Sequence, residues 1–235
     1  MTDYVLGLDF GRQHEYPAWA IVQRHGYTPR PRATSTSVPT YEGRAFDGTV
    51  RTHVVGPAPR PAPPHYTCPG LGKWEPSATY TAVAEDIARM PEEQPKLANM
   101  VVVVNQGPVG QPVTKLLRDR LSLPVRSVVI TNGVDVAWDS PTKVPRLHLL
   151  TLLKALIDDK RLIISGAHRY AQALGEQMRN VQIKQPSYDE ELALREQPEE
   201  GLVFAAAMAC WAFENLNLDE RRASSHSGSF SWWGG

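Results

Sequence analysis

Four acids and one amide stand where this sequence could do chemistry on a metal ion: Asp9, Glu15, Glu199, Glu200 and Asn105. Asp9 ends a mostly apolar run, Tyr4-Val-Leu-Gly-Leu-Asp9, which reads as a buried strand. Such a strand fixes its backbone inside a sheet and delivers its last side chain to the rim, where open α/β sheets bind ligands. A second run, Met100-Val-Val-Val-Val104, ends in the same way on Asn105, and Glu199-Glu200 opens an apolar helix. Hard divalent cations such as Mg²⁺ or Mn²⁺ take oxygen ligands, anionic ones above all. Two such ions, roughly 4 Å apart between carboxylates of separate elements, activate water and stabilise a leaving oxygen. For that chemistry Asp9 and Glu200 would hold metal, with Glu15 and Glu199 adding charge. Asn105 supplies an oxygen without charge.

Each position also has a plainer reading. Asp9 can close a turn, and Asn105 before Gln106-Gly107 is a turn former. Glu199 and Glu200 after Pro198 suit the first turn of a helix, where the helix dipole favours acids. His14, beside Glu15, could assist proton transfer or simply sit in an exposed loop. His148 and Trp211 lie on apolar helices and are expected in the core. Arg12, Lys143 and Arg146 are candidate phosphate contacts near the rim, against the plainer reading of solvated surface charge.

The elements that must position these residues alternate along the chain. Val5–Asp9 and Trp19–Gln23 read as a hairpin. Between Tyr27 and Pro64 the composition shifts, and eight of the 20 prolines fall there. Proline-rich chain resists regular packing, so 27–64 reads as an insertion or arm with one candidate strand at Val50–Val55. Its arginines (Arg30, Arg32, Arg44, Arg51, Arg60) outnumber its acids (Glu42, Asp47), so it could follow a nucleic-acid backbone or serve as a spacer. Helical spacing then appears over Ser77–Met90, with Ser77 as its cap. Further on come a strand at Val101–Val104, a helix at Val113–Leu121 and a strand at Val125–Thr131. Helix Leu147–Leu156, strand Leu162–Ile164, helix His168–Arg179 and an edge strand Val181–Lys184 follow. Last is helix Glu200–Leu216, dense in alanine, which lets neighbours approach closely. The Ser/Gly-rich tail, 221–235, is expected to be disordered.

Composition narrows the classes. With 235 residues, 42% hydrophobic and 21% charged, the chain describes a soluble globular protein with one substantial core or two small ones. Net charge is zero, so nucleic-acid binding would depend on a local patch. The two cysteines, Cys68 and Cys210, give no disulfide framework and point to a reduced, cytoplasmic setting. No apolar run is long enough to span a membrane, and the N-terminus lacks a signal peptide's basic region.

Several stretches, in order, resemble the nuclease domain of bacteriophage terminase large subunits. Leu6-Gly-Leu-Asp9-Phe-Gly and Glu15-Tyr-Pro-Ala-Trp-Ala-Ile-Val resemble that family's first hairpin with its metal-binding Asp. Val101-Val-Val-Val-Asn105-Gln-Gly-Pro-Val-Gly110-Gln-Pro-Val-Thr-Lys-Leu-Leu117 resembles its strand, turn and helix, where an acid usually stands at the position of Asn105. Ile130-Thr-Asn-Gly133 and Val144-Pro-Arg146 follow. Glu199-Glu-Gly-Leu-Val-Phe-Ala-Ala-Ala-Met-Ala-Cys-Trp211 resembles the final helix, which normally opens His-Asp-Asp; here Glu200 takes the first Asp and Gly201 the second.

The resemblance implies an α/β, ribonuclease H-like fold: a mixed central sheet flanked by helices, with the Pro-rich insertion after the first hairpin. One such domain would span 1–220. It implies a divalent-metal-dependent endonuclease acting on double-stranded DNA during viral packaging, in the host cytoplasm if the chain is viral. Asp9 would anchor Mg²⁺ or Mn²⁺ and Glu200 complete the site, with Asn105 a neutral ligand or a partner to water. The departures at Asn105 and Gly201 leave the alternatives open: a rearranged active site, a non-catalytic DNA-binding or assembly subunit, or Asn105 as an introduced inactivating change. A Holliday-junction resolvase-like nuclease is a further alternative. No G-x-x-x-x-G-K-[ST] loop occurs, so a packaging ATPase or portal would be a partner.

Overall fold

The computed structural model describes residues 3–11, 16–26, 40–44, 50–54, 63–107, 110–181 and 200–218. The chain divides into two units, Met1–His25 with Tyr66–Gly235, and Gly26–His65. Strands are β1 (Tyr4–Asp9), β2 (Ala18–His25), β3 (Thr40–Arg44), β4 (Val50–Val54), β5 (His65–Lys73), β6 (Val101–Asn105), β7 (Val125–Thr131), β8 (Thr142–Pro145) and β9 (Leu162–Ile164). Helices are α1 (Tyr80–Glu93), α2 (Gly110–Arg120), α3 (Arg146–Asp158), α4 (Ala171–Asn180) and α5 (Gly201–Asn215). In the second unit β3 and β4 form an antiparallel pair, from Thr40 opposite Val54 to Arg44 opposite Val50.

The larger unit is built on one seven-stranded sheet in the order β8-β7-β6-β1-β2-β5-β9. β1 is antiparallel to β2 and parallel to β6, while β7 and β8 continue parallel on that side. This mixed sheet, opened by a hairpin and then crossed by helices, is the ribonuclease H-like architecture expected. Its register matters for function. Leu8 lies opposite Val104, so one step further along the two parallel strands Asp9 and Asn105 reach the same rim as neighbours.

Strand alternation divides the core between the two sheet faces. Val5, Ala18, Ala20 and Val22 pack with α3, α4 and α5, and Leu6, Leu8, Phe10 and Ile21 pack with α1 and α2. Helix α5 is buried from Gly201 to Phe213. An all-round apolar helix of that kind belongs in the middle of a core. It comes close because Gly7 faces it: a Cβ on Gly7 would sit 1.9 Å from the carbonyl oxygen of Ala205. Cys68 and Cys210 are both buried free thiols, and burial pushes the Cys68 thiol up to about 11.

Several expectations are corrected. Helix α1 begins at Tyr80, not Ser77, because 76–77 form a turn and Thr79 is the cap; its Oγ1 accepts from the Ala82 amide at 3.2 Å. Strands β3, β5 and β8 form although they carry no clear sequence signal. His148 is exposed rather than in the core, since α3 buries Leu149, Leu150, Leu153 and Leu156 and His148 falls off that stripe. Trp211 is fully buried. Helix α4 starts at Ala171 rather than His168. His14, the arginines at 30, 32 and 60, the expected edge strand beyond Val181 and the tail lie outside the described residues, as do the side chains of Arg44 and Arg51.

Candidate functional site

The rim beyond β1 and β6 is where the candidate residues meet. Asp9 is 4% exposed and Asn105 6%. The Asn105 side-chain amide Nδ2 donates to Asp9 Oδ1 at 2.9 Å, and Asn105 Oδ1 accepts from the Gly107 amide at 3.1 Å. These two partners dictate the same orientation. Turning the amide over would set its oxygen against a carboxylate oxygen and its NH₂ against a backbone N–H. Asn105 is therefore both the turn former and the partner of Asp9.

Helix α5 begins against this pair. A Cβ on Gly201 would lie 3.0 Å from Ala18 Cβ, 3.7 Å from the Tyr16 carbonyl oxygen and 3.9 Å from Asp9 Oδ2. The second acid of the resembled motif falls on this position, and the glycine keeps it clear of the carboxylate. Glu200, the residue before the helix, makes no side-chain cap bond. Its Oε1 instead accepts from Arg146 Nη2 at 2.7 Å, and both side chains are largely buried. The Arg146 guanidinium also lies over the Phe204 ring, 5.3 Å from its centre. Arg146 is thus held by the protein's own acid at the start of α3.

Sequence reasoning missed Gln177, for which no charge or motif gives a signal. Its Oε1, reaching from α4, accepts from the amides of Leu202 at 3.1 Å and Val203 at 3.4 Å. The first amides of a helix have no partner within it, so this buried side chain caps α5 from outside. Gln177→Ala would leave two buried donors without an acceptor, and a loss of about 2 kcal/mol is expected. Urea unfolding against the unmodified chain measures it, and a loss under about 0.5 kcal/mol would mean water replaces the cap.

The remaining candidates do not join the cluster. Lys143 Nζ lies 3.5 Å from Asp139 Oδ2 with both side chains more than half exposed, a solvated pair. Arg12, Glu15 and Glu199 lie outside the described residues. Among the described residues, no group of three or more His, Cys, Asp or Glu is placed to hold a metal ion. The donor set explains this. Among the described residues, Asp9 supplies the anionic side chain at the junction of β1 and β6, Asn105 has committed its oxygen to Gly107, and Glu200 is paired with a guanidinium. The described residues do not fit a two-metal centre, which needs several anionic oxygens converging on each ion.

Among the described residues no helix is long and apolar enough to cross a membrane. No family model and no curated protein matches the chain. Among solved structures it is similar to the human cytomegalovirus terminase nuclease domain, at 13% identity and a TM-score of 0.48, covering 89% of this chain and 84% of that one. The manganese-soaked form of that domain is similar at 12% identity and 0.47, covering 88% and 82%. Its manganese-soaked, inhibitor-bound form gives 12% and 0.47, covering 90% and 83%. The sheet order and strand directions of the chain are those of a ribonuclease H-like fold.

Proposed function

We propose that this is a terminase-nuclease-like domain that engages DNA without cutting it, its metal centre replaced by internal hydrogen bonds. The observation that carries this reading is the Asn105 bridge between Asp9 and Gly107. An amide proton does for Asp9 what a cation would do in a nuclease, and the Arg146 guanidinium does the same for Glu200. With both carboxylates partnered from within the protein, the centre is held together without Mg²⁺ or Mn²⁺. In a packaging setting the domain would act as a DNA-binding or assembly subunit, with ATP hydrolysis supplied by a partner.

One observation favours a second reading, a metal-dependent endonuclease. Asp9 remains a carboxylate, and its Oδ2 faces the start of α5, next to Glu200. Glu15 and Glu199 would then complete the ligand set. Supercoiled plasmid incubated with Mn²⁺ or Mg²⁺ separates the two. We expect DNA to be retarded on a gel and to stay supercoiled. Metal-dependent nicking that disappears in Asp9→Ala would overturn the proposal in favour of the endonuclease, and failure either to retard or to nick any DNA would remove both.

A further inference from the structure

The loop between β7 and β8, 132–141, stands at one edge of the sheet, where β8 is the last strand. It carries the two most exposed large apolar side chains among the described residues: Val134 is 76% and Trp138 61% exposed. The loop is nevertheless fixed. Val136 packs against the core, and Ala137 exchanges both backbone hydrogen bonds with Lys143, at 3.0 and 2.8 Å. The Thr142 hydroxyl donates to the Asp139 carbonyl at 3.3 Å. Trp138 lies between those anchors. One face of its ring stacks on the fully buried Trp211 of α5, with centres 5.8 Å apart and planes 23° from parallel. With that face covered, so large an exposure leaves the opposite face in water. Among the described residues no cation or further ring lies over it.

The open face of an indole is the negative side of its quadrupole and attracts a cation. The charges of the loop have the same preference. Asn132–Pro141 holds two acids, Asp135 and Asp139, and no lysine or arginine. Lys143 lies 3.5 Å from Asp139, whereas Asp135 is exposed and, among the described residues, has no hydrogen-bond or ion-pair partner. A nucleotide base could stack on the ring, but its phosphate would come to a loop whose unpaired charge is a carboxylate. An apolar side chain would use the ring and gain nothing from the acid. Arginine uses both, because its guanidinium is planar, stacks on an aromatic face and still offers N–H donors at its edge to a carboxylate. Lysine, a compact ammonium, lacks the flat surface. We infer that Trp138 and Asp135 form a docking site for an arginine side chain presented by a partner protein. The fixed loop holds the ring in place before the partner arrives, which lowers the entropic cost of docking. The site stands on this loop alone and does not rest on the DNA-engaging reading.

Heteronuclear NMR of the full chain tests it, with a short acetylated peptide of alternating glycine and arginine as the probe. The matching glycine–lysine and glycine–leucine peptides and oligo-dT serve as comparisons. The Trp138 indole N–H resonance, identified by its loss in Trp138→Ala, should shift with the arginine peptide, and the Ala137 and Asp139 amides should shift with it. The lysine peptide should bind about threefold more weakly. Read on those two amides, Trp138→Ala should weaken binding by about fivefold. Asp135→Asn should weaken it by about twofold. The second variant leaves the stack of Trp138 on Trp211 in place, so its effect does not come from a loosened loop. An arginine peptide that moves resonances elsewhere while Trp138, Ala137 and Asp139 stay still would overturn the site. Equal binding by the unmodified chain and both variants would do the same. If oligo-dT or the leucine peptide moves the Trp138 indole and the arginine peptide does not, the face belongs to nucleic acid or to an apolar partner, and the proposal is wrong.

Discussion

Gly7→Ala should lower the unfolding free energy by about 3–5 kcal/mol, among the largest effects of any single methyl group in this fold. The added Cβ would meet the Ala205 carbonyl oxygen at 1.9 Å, its carbon at 2.8 Å and the Ala209 amide at 3.2 Å. All three are backbone atoms, so no side chain can rotate out of the way. The helix as a whole must lift from β1, and thirteen consecutive residues of α5, Gly201–Phe213, are buried against their neighbours. Lifting it also pulls its first turn off Gln177 and off the Asp9 rim. The matched control is Gly166→Ala, where a Cβ meets nothing within 4 Å. That change should be neutral or slightly stabilising, through the unfolded state alone. Urea unfolding of the two variants side by side is the measurement. If Gly7→Ala stayed within about 1 kcal/mol of the control, α5 would not be seated on β1 as described.

The same contact shows what a sequence can and cannot convey. The alanines of 205–209 announce that something approaches the last helix closely, but not that Gly7, nearly two hundred positions earlier, is what approaches. Long apolar runs are legible because burial on both faces leaves no alternative, and β7 and β9 end where the sequence says they should. β5 is not legible. It contains Pro69, Gly70 and Gly72, which read as loop, yet the glycines are there because a Cβ on either would press into the Trp19 ring. β8 is four residues long and ends in proline, too short for any period to show. At the site, strand ends predict that Asp9 and Asn105 arrive at one rim, since parallel strands in register must deliver their last residues together. Which way the Asn105 amide points depends on the Gly107 backbone. Whether Arg146 faces DNA or Glu200 depends on a partner 54 positions away. Neither is a local property, so neither could be read from spacing.

Asn105→Asp should make the Asp9 rim need a cation, and the change should be visible in stability before any activity is sought. In the unmodified chain an N–H lies between the two side chains, 2.9 Å from nitrogen to oxygen. The substitution sets a second carboxylate against Asp9 where both are nearly inaccessible to water. Two such groups do not both ionise easily; one proton is retained between them, and the folded state holds it more firmly than the unfolded chain does. A group whose proton affinity is raised on folding contributes no penalty below its unfolded value, near pH 4 for Asp, and an increasing one as pH rises above it. The variant should therefore approach the unmodified chain near pH 4 and fall behind by about 3 kcal/mol at pH 8, the scale of an uncompensated buried charge. Mn²⁺ should reverse the loss, because an ion at one hundred times its dissociation constant returns about 2.7 kcal/mol. The unmodified chain, with the Asn105 amide already bridging Asp9 to Gly107, should melt at the same temperature with Mn²⁺ or with EDTA. Calorimetry across pH 4–8, with and without metal, distinguishes the cases. Equal stabilisation of both proteins by Mn²⁺ would show that Asp9 binds a cation despite Asn105, and the endonuclease reading would then be the stronger one. A variant whose deficit does not change with pH would show that the new carboxylate has turned away to solvent, and that the rim is looser than a buried hydrogen-bonded pair allows.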